Sequence, residues 1–421
     1  LFGRGLKLSE AEAIALENNL QLQLADEALR KAEISLRDAI GAVLPSISAY
    51  GQYTKNYELP VIVIDFDGPG PAPATAIPMG SVYSSTGGVS LSQPIFTGGM
   101  VYSGYKIARE GVRLAELSKE QREMDIIKTI RTLYYQLGLL SSLEKATERS
   151  LESAKLNYET VQKKLNVGKA NQFEALQAQV GYESLRPQLI NLKNQKQILL
   201  TNFNTFLNVP PTQKFDSVGE LIQEKNPFQE KSLEELKVIA AEQRLELKLM
   251  RSQKSIAVNQ KRIAVGQALP MVSLSADLRH QAQADKTEDL DYYRSRSTAL
   301  VVSIPLFNGG RKLAGIQKAK IGEKELELQS RQMELLIEAD VESAYLMLRE
   351  SELKIESNSR LVEQAAEALR LARLMYDNGS VTQLEVLNAE SGWLQAQSAY
   401  LSSIFEFNVA LTSLKSAINQ L

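Results

Sequence analysis

The chain has 421 residues with a net charge of −2, one histidine and no cysteine. Without cysteine, and with His280 as its single imidazole, it lacks the side chains of disulfide frameworks, thiol catalysis and Cys/His zinc sites. A net charge this close to zero provides no basic field to hold nucleic acid. We therefore predict no nucleic-acid partner, no metal and no cofactor.

Recognisable catalytic machinery is also missing from the sequence. His280 lies in a polar stretch between two predicted strands, and neither a glycine-rich phosphate loop nor a nucleophile elbow occurs. We therefore predict no catalytic residues and no enzymatic activity.

The first half of the chain begins with a helix and continues into strands. Ser9 followed by Glu12 matches a capping box and predicts a helix start. The helix should end before Pro45, because the residue before a proline is pushed toward extended geometry. Polar and apolar residues then alternate, which predicts a strand pair over about 46–95. A Pro/Gly-rich stretch at 67–73 is interpreted as an exposed loop within this pair.

A long helix is predicted next, because no proline interrupts the sequence from 100 to 166. At about 1.5 Å per residue such a helix is roughly 100 Å long. Apolar residues spaced by four and three predict a coiled-coil seam along it: Ile126, Ile130, Leu133, Leu137 and Leu140. The helix should end at Gly168, and a new helical pattern starts at once, which predicts a helical hairpin with its tip near residue 168.

The same order of elements recurs after a connector at 209–231. Ser232 and Glu235 form a second capping box, a strand pair is predicted over about 271–305, and a second long helix runs from 311 to 377 to a tip near residue 379. Its predicted seam consists of Leu361, Ala365, Ala368, Ala372 and Met375. A common offset of 211 relates Pro94 to Pro305 and Gly168 to Gly379. We interpret residues 1–208 and 232–421 as two structural repeats of an internal duplication.

The alternation in the strand pairs fits two structures when it is taken alone. Apolar and polar residues alternate in the strands of a membrane barrel with a wet lumen. They alternate equally in a half-buried sheet of a soluble protein. The long helices favour the first structure, because helices of such length have to pack along one another.

Taken together, these features make the sequence resemble the TolC family of outer-membrane efflux factors over nearly its whole length. The junctions between strands and helices match at Pro45, Pro94, Gly98, Gly99, Pro270, Pro305, Gly309 and Gly310. The tips match as well, each with a glycine followed by Glu-x-Leu-x-Ala, which begins at Glu174 and at Glu385.

The resemblance implies a mainly α fold with a membrane β-barrel. Three chains would each contribute four strands to a twelve-stranded barrel in the outer membrane of a Gram-negative bacterium. A coiled-coil α-helical tunnel would continue the barrel through the periplasm, with residues 209–231 in its equatorial region. The implied partners are two further copies of the chain, outer-membrane lipid, a periplasmic adaptor (membrane fusion) protein and, through the adaptor, an inner-membrane pump.

The implied function is a passive exit duct of a tripartite efflux or type I secretion system, gated at its periplasmic tips and opened by adaptor binding. Glu385 and Asn388 occupy the positions of the acidic constriction in the family, where a ring of three Glu385 carboxylates would favour cations. Asn388 departs from the usual second acid, so we expect a weaker charge gate. The tip residues that would contact the adaptor are Val167, Gly168, Lys169, Asn378, Gly379 and Ser380. The alternative is a soluble coiled-coil scaffold without a pore.

Overall fold

The computed structural model describes residues 6–64, 75–210, 215 and 217–421. The first half contains helices α1 (Leu8–Asn18) and α2 (Leu20–Gly41), followed by strands β1 (Ser46–Lys55), β2 (Val61–Ile64), β3 (Thr75–Pro78) and β4 (Tyr83–Phe96). Helices α3 (Met100–Asn166) and α4 (Gln172–Phe206) complete it. The Pro/Gly-rich stretch at 67–73 lies outside the described residues.

The second half repeats this order. Helices α5 (Leu233–Gln243) and α6 (Leu245–Gly266) precede strands β5 (Met271–Ala284) and β6 (Tyr293–Ser303), which are joined through a short 3₁₀ turn at Thr287–Asp289. Helices α7 (Arg311–Asp377) and α8 (Gln383–Ala417) follow. Corresponding helix ends are 225 residues apart before the strands and 211 apart after them. The extra 14 residues lie in the segment from β1 to β4, which holds the additional strand pair β2–β3.

The helices that open each half differ from the prediction, because each is broken into two. The first break is at Asn19, whose side-chain amide donates to the Phe206 carbonyl at 3.2 Å, and the second is at Arg244. Ser9 is not an N-cap, since α1 begins at Leu8 and the carboxylate that receives the backbone N–H of Lys7 is that of Glu10. The second capping box is confirmed: Ser232 Oγ accepts from the Glu235 N–H at 3.3 Å.

One compact unit, formed by residues 30–114 and 252–327, contains the main sheet. Its four strands are antiparallel in the order β1-β4-β5-β6, so each half of the chain supplies two. The register pairs Ile47 with Leu91, Leu91 with Ala276 and Ala276 with Thr298. Because directly paired residues share a face, the apolar sets fall on one side of the sheet and the serine-rich sets on the other.

The opposite, polar face carries a network that crosses three strands. The Tyr50 hydroxyl donates to the Asp277 carboxylate at 3.1 Å, and Arg279 Nε donates to the Tyr50 oxygen at 3.2 Å. The Tyr50 ring crosses Gly88, where an added Cβ would come 2.9 Å from the Tyr50 hydroxyl oxygen. A side chain at Gly88 would therefore displace the ring that joins Asp277 and Arg279.

The other compact unit comprises residues 1–29, 115–251 and 328–421, and helices dominate its described part. Each of its two main cores surrounds a buried phenylalanine, Phe203 in one and Phe407 in the other. The connector is held between the helices by two buried asparagines. Asn204 bonds the backbone N–H and C=O of Phe215, and Asn408 bonds the Glu224 N–H at 2.9 Å and the Ile222 C=O at 2.8 Å.

The two predicted seams have different environments in the single chain. Ile126, Ile130 and Leu137 on α3 are at most 1% exposed, so this seam lies in the core. On α7, Leu361 and Met375 are 46% and 43% exposed, and the buried residue in that region is Leu369. The α7 seam is therefore available for packing outside this chain. Among the described residues, no helix is both long and apolar enough to cross a membrane.

Candidate functional site

The tips of the two helical hairpins are built in the same way. Gly168 and Gly379 have φ values of +71° and +73°, a left-handed conformation that glycine adopts without steric cost. In each turn the following residue closes a helix-terminal bond: Lys169 N–H donates to the Lys164 carbonyl at 2.8 Å, and Ser380 N–H donates to the Met375 carbonyl at 2.8 Å. These are Schellman-type ends, so both long helices stop at a defined residue.

Each return helix starts with a reciprocal cap. Asn171 Oδ1 accepts from the Glu174 N–H at 2.9 Å, and the Glu174 carboxylate accepts from the Asn171 N–H at 2.9 Å. In the second tip, Glu385 Oε2 accepts from both the N–H and the hydroxyl of Thr382, at 2.6 and 3.1 Å. Glu385, proposed from the sequence as a constriction residue, therefore also holds the first turn of α8.

The sequence-predicted tip and constriction residues are accessible in the chain. Glu385 and Asn388 lie one helical turn apart on α8 and are both exposed. The six predicted adaptor-contacting residues are also exposed: Val167, Gly168, Lys169, Asn378, Gly379 and Ser380.

The predicted strand–helix junctions occupy the ends of the sheet. Pro45 and Pro270 directly precede β1 and β5, and Pro305 follows β6. Pro94 lies near the end of β4, beside a register shift between Pro94 and Phe96. Gly98, Gly99, Gly309 and Gly310 all have positive φ directly before α3 and α7.

The two tips are connected to each other through Lys164 of the first hairpin. Its Nζ lies 3.1 Å from Asp377 Oδ1 and 4.2 Å from the centroid of the Tyr376 ring, both on the second hairpin. Burial raises the pKa of Tyr376, and the negative charges of Glu174 and Asp377 raise it further. A cation–π contact and an ion pair thus meet at one lysine.

A second connection lies farther along the hairpins. Arg373 of α7 donates to Ser153 of α3 and, at 3.2 Å, to Glu390 of α8. The Glu390 side chain is only 8% exposed, whereas that of Arg373 is 44% exposed. A cleft of about 370 Å³ runs beside this cluster and is lined by Ser153, Asn157, Arg373, Tyr376 and Val386, among others.

This polar layer is incompletely paired. Among the described residues, Glu390 Oε2 and both amide atoms of Gln383 are buried without a hydrogen-bond partner. Gln383 is fully buried. An unpaired buried polar group costs roughly 1–3 kcal/mol, because it loses its hydration without compensation. The layer therefore weakens the association of the hairpins that it joins.

Close packing accompanies these polar contacts. A Cβ built on Gly181 of α4 would come 2.5 Å from a Leu387 methyl group of α8, so the Leu387 side chain would have to shift to admit a larger residue at position 181. Tyr158 of α3 stacks on Tyr182 of α4, with ring centroids 6.3 Å apart. Gly181 thus lets the two hairpins approach each other, and the stacked tyrosines join the two arms of the first hairpin.

The sequence does not predict a role for Lys164, Arg373 or Glu390, because single charged residues on long helices are usually solvated. The spacing of residues on α8 is the one feature of the sequence that could have identified Glu390. Glu390 follows Gln383 by seven residues and Val386 by four, so the three share one helix face. Within the described part of the chain, no three carboxylate or imidazole side chains are grouped so that they could hold a metal ion.

Comparisons with known proteins agree with this arrangement. The family model described as "Outer membrane efflux protein" matches residues 11–208 and 238–420, once in each half of the chain. The pyoverdine export outer membrane protein OpmQ of Pseudomonas aeruginosa is 25% identical over 395 residues, covering 91% of this chain and 79% of OpmQ. The alkaline protease secretion protein AprF of the same species is 24% identical over 343 residues, covering 79% of this chain and 69% of AprF.

Among solved structures, the outer membrane protein VceC of Vibrio cholerae has the same fold. It superposes with a TM-score of 0.80 at 18% identity, over 98% of this chain and 95% of VceC. The mainly α fold class with four strands per chain is thereby confirmed.

The family match extends this result from fold to role. Members are channels rather than enzymes, and they act as trimers with a periplasmic adaptor and an inner-membrane pump. The alternative of a soluble scaffold is not favoured. The chain therefore belongs to the outer membrane efflux protein family, which confirms the predicted TolC-type resemblance, the outer-membrane location and the role of exit duct.

Proposed function

We propose that this exit duct is passive, that its gate is formed by the two hairpin tips, and that an adaptor opens it by drawing the α7–α8 hairpin away from α3–α4. The observation that carries the proposal is the set of contacts that cross between the hairpins on their tip side. Lys164 reaches Asp377, Arg373 reaches Ser153, and Gly181 meets Leu387. Separation of the hairpins would break all three contacts and hydrate the unpaired atoms of Gln383 and Glu390.

A reversible crosslink between the hairpins tests this movement. The chain has no cysteine, so a pair of introduced cysteines would be its only thiols. A Cβ on Gly181 would lie 3.7 Å from Leu387 Cγ, so side chains at the two positions are in contact, and Gly181→Cys with Leu387→Cys places two thiols side by side for oxidation to a disulfide. The oxidised channel should resist adaptor-triggered opening and recover on reduction. Equal opening in both redox states would refute a gate that works by separating these helices.

The constriction is proposed to involve Glu385 and, one turn later, Asn388. Both capping bonds of Glu385 go to Oε2, so Oε1 takes no part in the cap. Three such carboxylates around the axis of a trimer would attract cations and repel anions. Asn388 adds no charge, so the selectivity should depend on Glu385.

Glu385→Gln is the informative change, because glutamine retains the capping geometry and removes only the charge. We expect a lower cation-to-anion permeability ratio. Glu174→Gln is the matched control, since Glu174 makes the equivalent cap in the first tip. If both variants conduct with the selectivity of the unmodified channel, Glu385 does not form the constriction.

The exposed tip residues are proposed as the adaptor contact. Val167 is 69% exposed at the turn of the first hairpin, and Lys169 is exposed beside it. Val167→Ser with Lys169→Glu should weaken adaptor binding while the trimer stays intact. Lys155→Glu, about three and a half helical turns before the tip, is the control. Adaptor affinity that is unchanged in the tip variant would place the contact elsewhere.

The cargo is proposed to be chosen by the pump rather than by this chain. OpmQ is named for pyoverdine export and AprF for secretion of a protease, and the chain is similar to both at nearly the same identity. Efflux and type I secretion are therefore both retained as systems that this duct would serve.

A further inference from the structure

The apolar face of the main sheet contains a groove. It lies toward the end of the sheet that is opposite to the strand–helix junctions. One row of paired residues crosses all four strands: Gly51 on β1, Gly87 on β4, His280 on β5 and Arg294 on β6. The two glycines leave a cleft of about 620 Å³, whose lining also includes Tyr53, Leu278 and Tyr292. The Tyr292 hydroxyl donates to Ser85 Oγ at 3.0 Å and fixes one wall of the cleft.

Two arginines lie beside this groove. Arg294 and Arg296 are two residues apart on β6, so they share the face, and Arg296 pairs with Leu278. Both side chains are exposed, and within the described residues neither forms an ion pair with a carboxylate. Arg279 on the polar face differs, since it lies 3.4 Å from Asp277. No described carboxylate therefore compensates the positive charge of Arg294 and Arg296.

The surroundings of the arginines are those of a membrane–water interface. Tyr53 and Tyr292 are 56% and 58% exposed on the same side, and tyrosines of this kind form the aromatic girdle of membrane strands. An arginine on a lipid-facing strand is tolerated near the interface and disfavoured at mid-membrane. Strands that pair edge to edge with a neighbouring copy use backbone groups of β1 and β6, so this face stays uncovered.

We propose that the groove binds a phosphate-bearing lipid, with an acyl chain over Gly51 and Gly87 and the phosphate between Arg294 and Arg296. The inference rests on the sheet lying in the outer membrane. Guanidinium groups match phosphate because they donate two parallel hydrogen bonds to its oxygens. The glycine row gives an acyl chain a smooth apolar bed, and the His280 imidazole adds a further polar group beside the phosphate position.

Native mass spectrometry of the detergent-purified trimer tests this site. The probes are bis-phosphorylated lipid A, the same lipid after removal of its phosphates, and inorganic phosphate. We expect retained adducts of the phosphorylated lipid only. Arg294→Gln with Arg296→Gln should weaken that binding about 30-fold, from the attraction that two arginines exert on an anionic lipid surface. Lys31→Gln with Arg37→Gln, two exposed basic residues on α2, is the charge-matched control.

A second variant separates the groove from the charges. Gly87→Val keeps both arginines and fills the cleft, and it should be accommodated because a Cβ there meets only the Tyr50 carbonyl, at 3.7 Å. We expect it to weaken lipid binding too. Single-channel conductance should be unchanged in both variants, which distinguishes loss of the lipid site from failure of the duct. Equal binding of the dephosphorylated lipid, saturation by inorganic phosphate alone, or unaltered binding in the arginine variant would overturn the proposal.

Discussion

Replacing Arg373 with methionine should release the second hairpin from the first. Arg373 is the partner of Glu390, whose side chain is 8% exposed, and it also donates to Ser153 on the other hairpin. Breaking a buried ion pair by removing one partner costs about 3–5 kcal/mol, because a charge is left unpaired. Since the Arg373 side chain keeps 44% of its exposure, we halve this figure to about 2 kcal/mol. That corresponds to an opening equilibrium raised about 30-fold.

Single-channel recording measures this directly as the fraction of time that the channel is open. Arg370→Met is the matched control, because Arg370 is on the same helix and its ion-pair partner within the described residues is Glu367, one turn away at 2.8 Å. Adding Glu390→Gln to Arg373→Met should reverse most of the effect, since the orphaned charge is removed. An Arg373→Met channel that opens no more often than the Arg370→Met control would refute the reasoning.

Three further predictions concern stability and are checked by thermal unfolding of the detergent-solubilised protein. Asn408→Leu should lower the free energy of unfolding by about 2–4 kcal/mol, and with it the melting temperature, because the backbone groups of Glu224 and Ile222 lose their partner. An unchanged melting temperature would contradict this prediction. Gly379→Ala should lower the free energy of unfolding by about 1 kcal/mol, since alanine is strained at a φ of +73°. A variant with a raised melting temperature would contradict the left-handed conformation at this tip. The pKa of Glu235 is lowered, first by the backbone N–H of Ser232 and then by its hydroxyl, so its stabilising effect is complete above its ordinary pKa of about 4.3 and is lost as pH falls through the lower folded value. The difference in melting temperature from Glu235→Gln should therefore shrink as the pH falls below about 4.3, and a difference that stays the same at acidic pH would contradict the assignment.

Much of the fold follows from local signals in the sequence. Glycine is required where a helix ends in left-handed conformation, so the sequence alone is enough to identify Gly168 and Gly379 as tips. The strand register is implied by alternation, because a shift of one residue would move Ile47 and Leu91 to the polar face. These features depend on neighbours close in sequence, which explains why they could be predicted.

Features that depend on distant partners could not be predicted. The break between α1 and α2 has neither proline nor glycine to mark it, and it is held by a bond from Asn19 to Phe206 across 187 positions. The pairing of Arg373 with Ser153 spans 220 positions. The short strands β2 and β3 were hidden by their four-residue length. The bonds of Asn19 and Arg373 appear only when residues far apart in sequence are packed together.

The residues of the candidate gate also fall into two groups, those that the sequence predicts and those that only the structure identifies. Glu385 and the tip residues could be named because they accompany a repeated motif, whereas their capping partner Thr382 and the polar layer at Glu390 come from the structure. The α7 seam, with Leu361 and Met375 exposed in the single chain, is best explained by packing in the trimer. A single sequence does not separate a seam within a chain from one between chains, because both have the same spacing.

The central claim, that this chain forms an exit duct which rests nearly closed, is tested most directly by single-channel current in a planar lipid bilayer. Discrete, small, cation-preferring steps from the detergent-purified trimer are the predicted result. A silent bilayer, with protein that remains in solution after the detergent is withdrawn, would contradict the account.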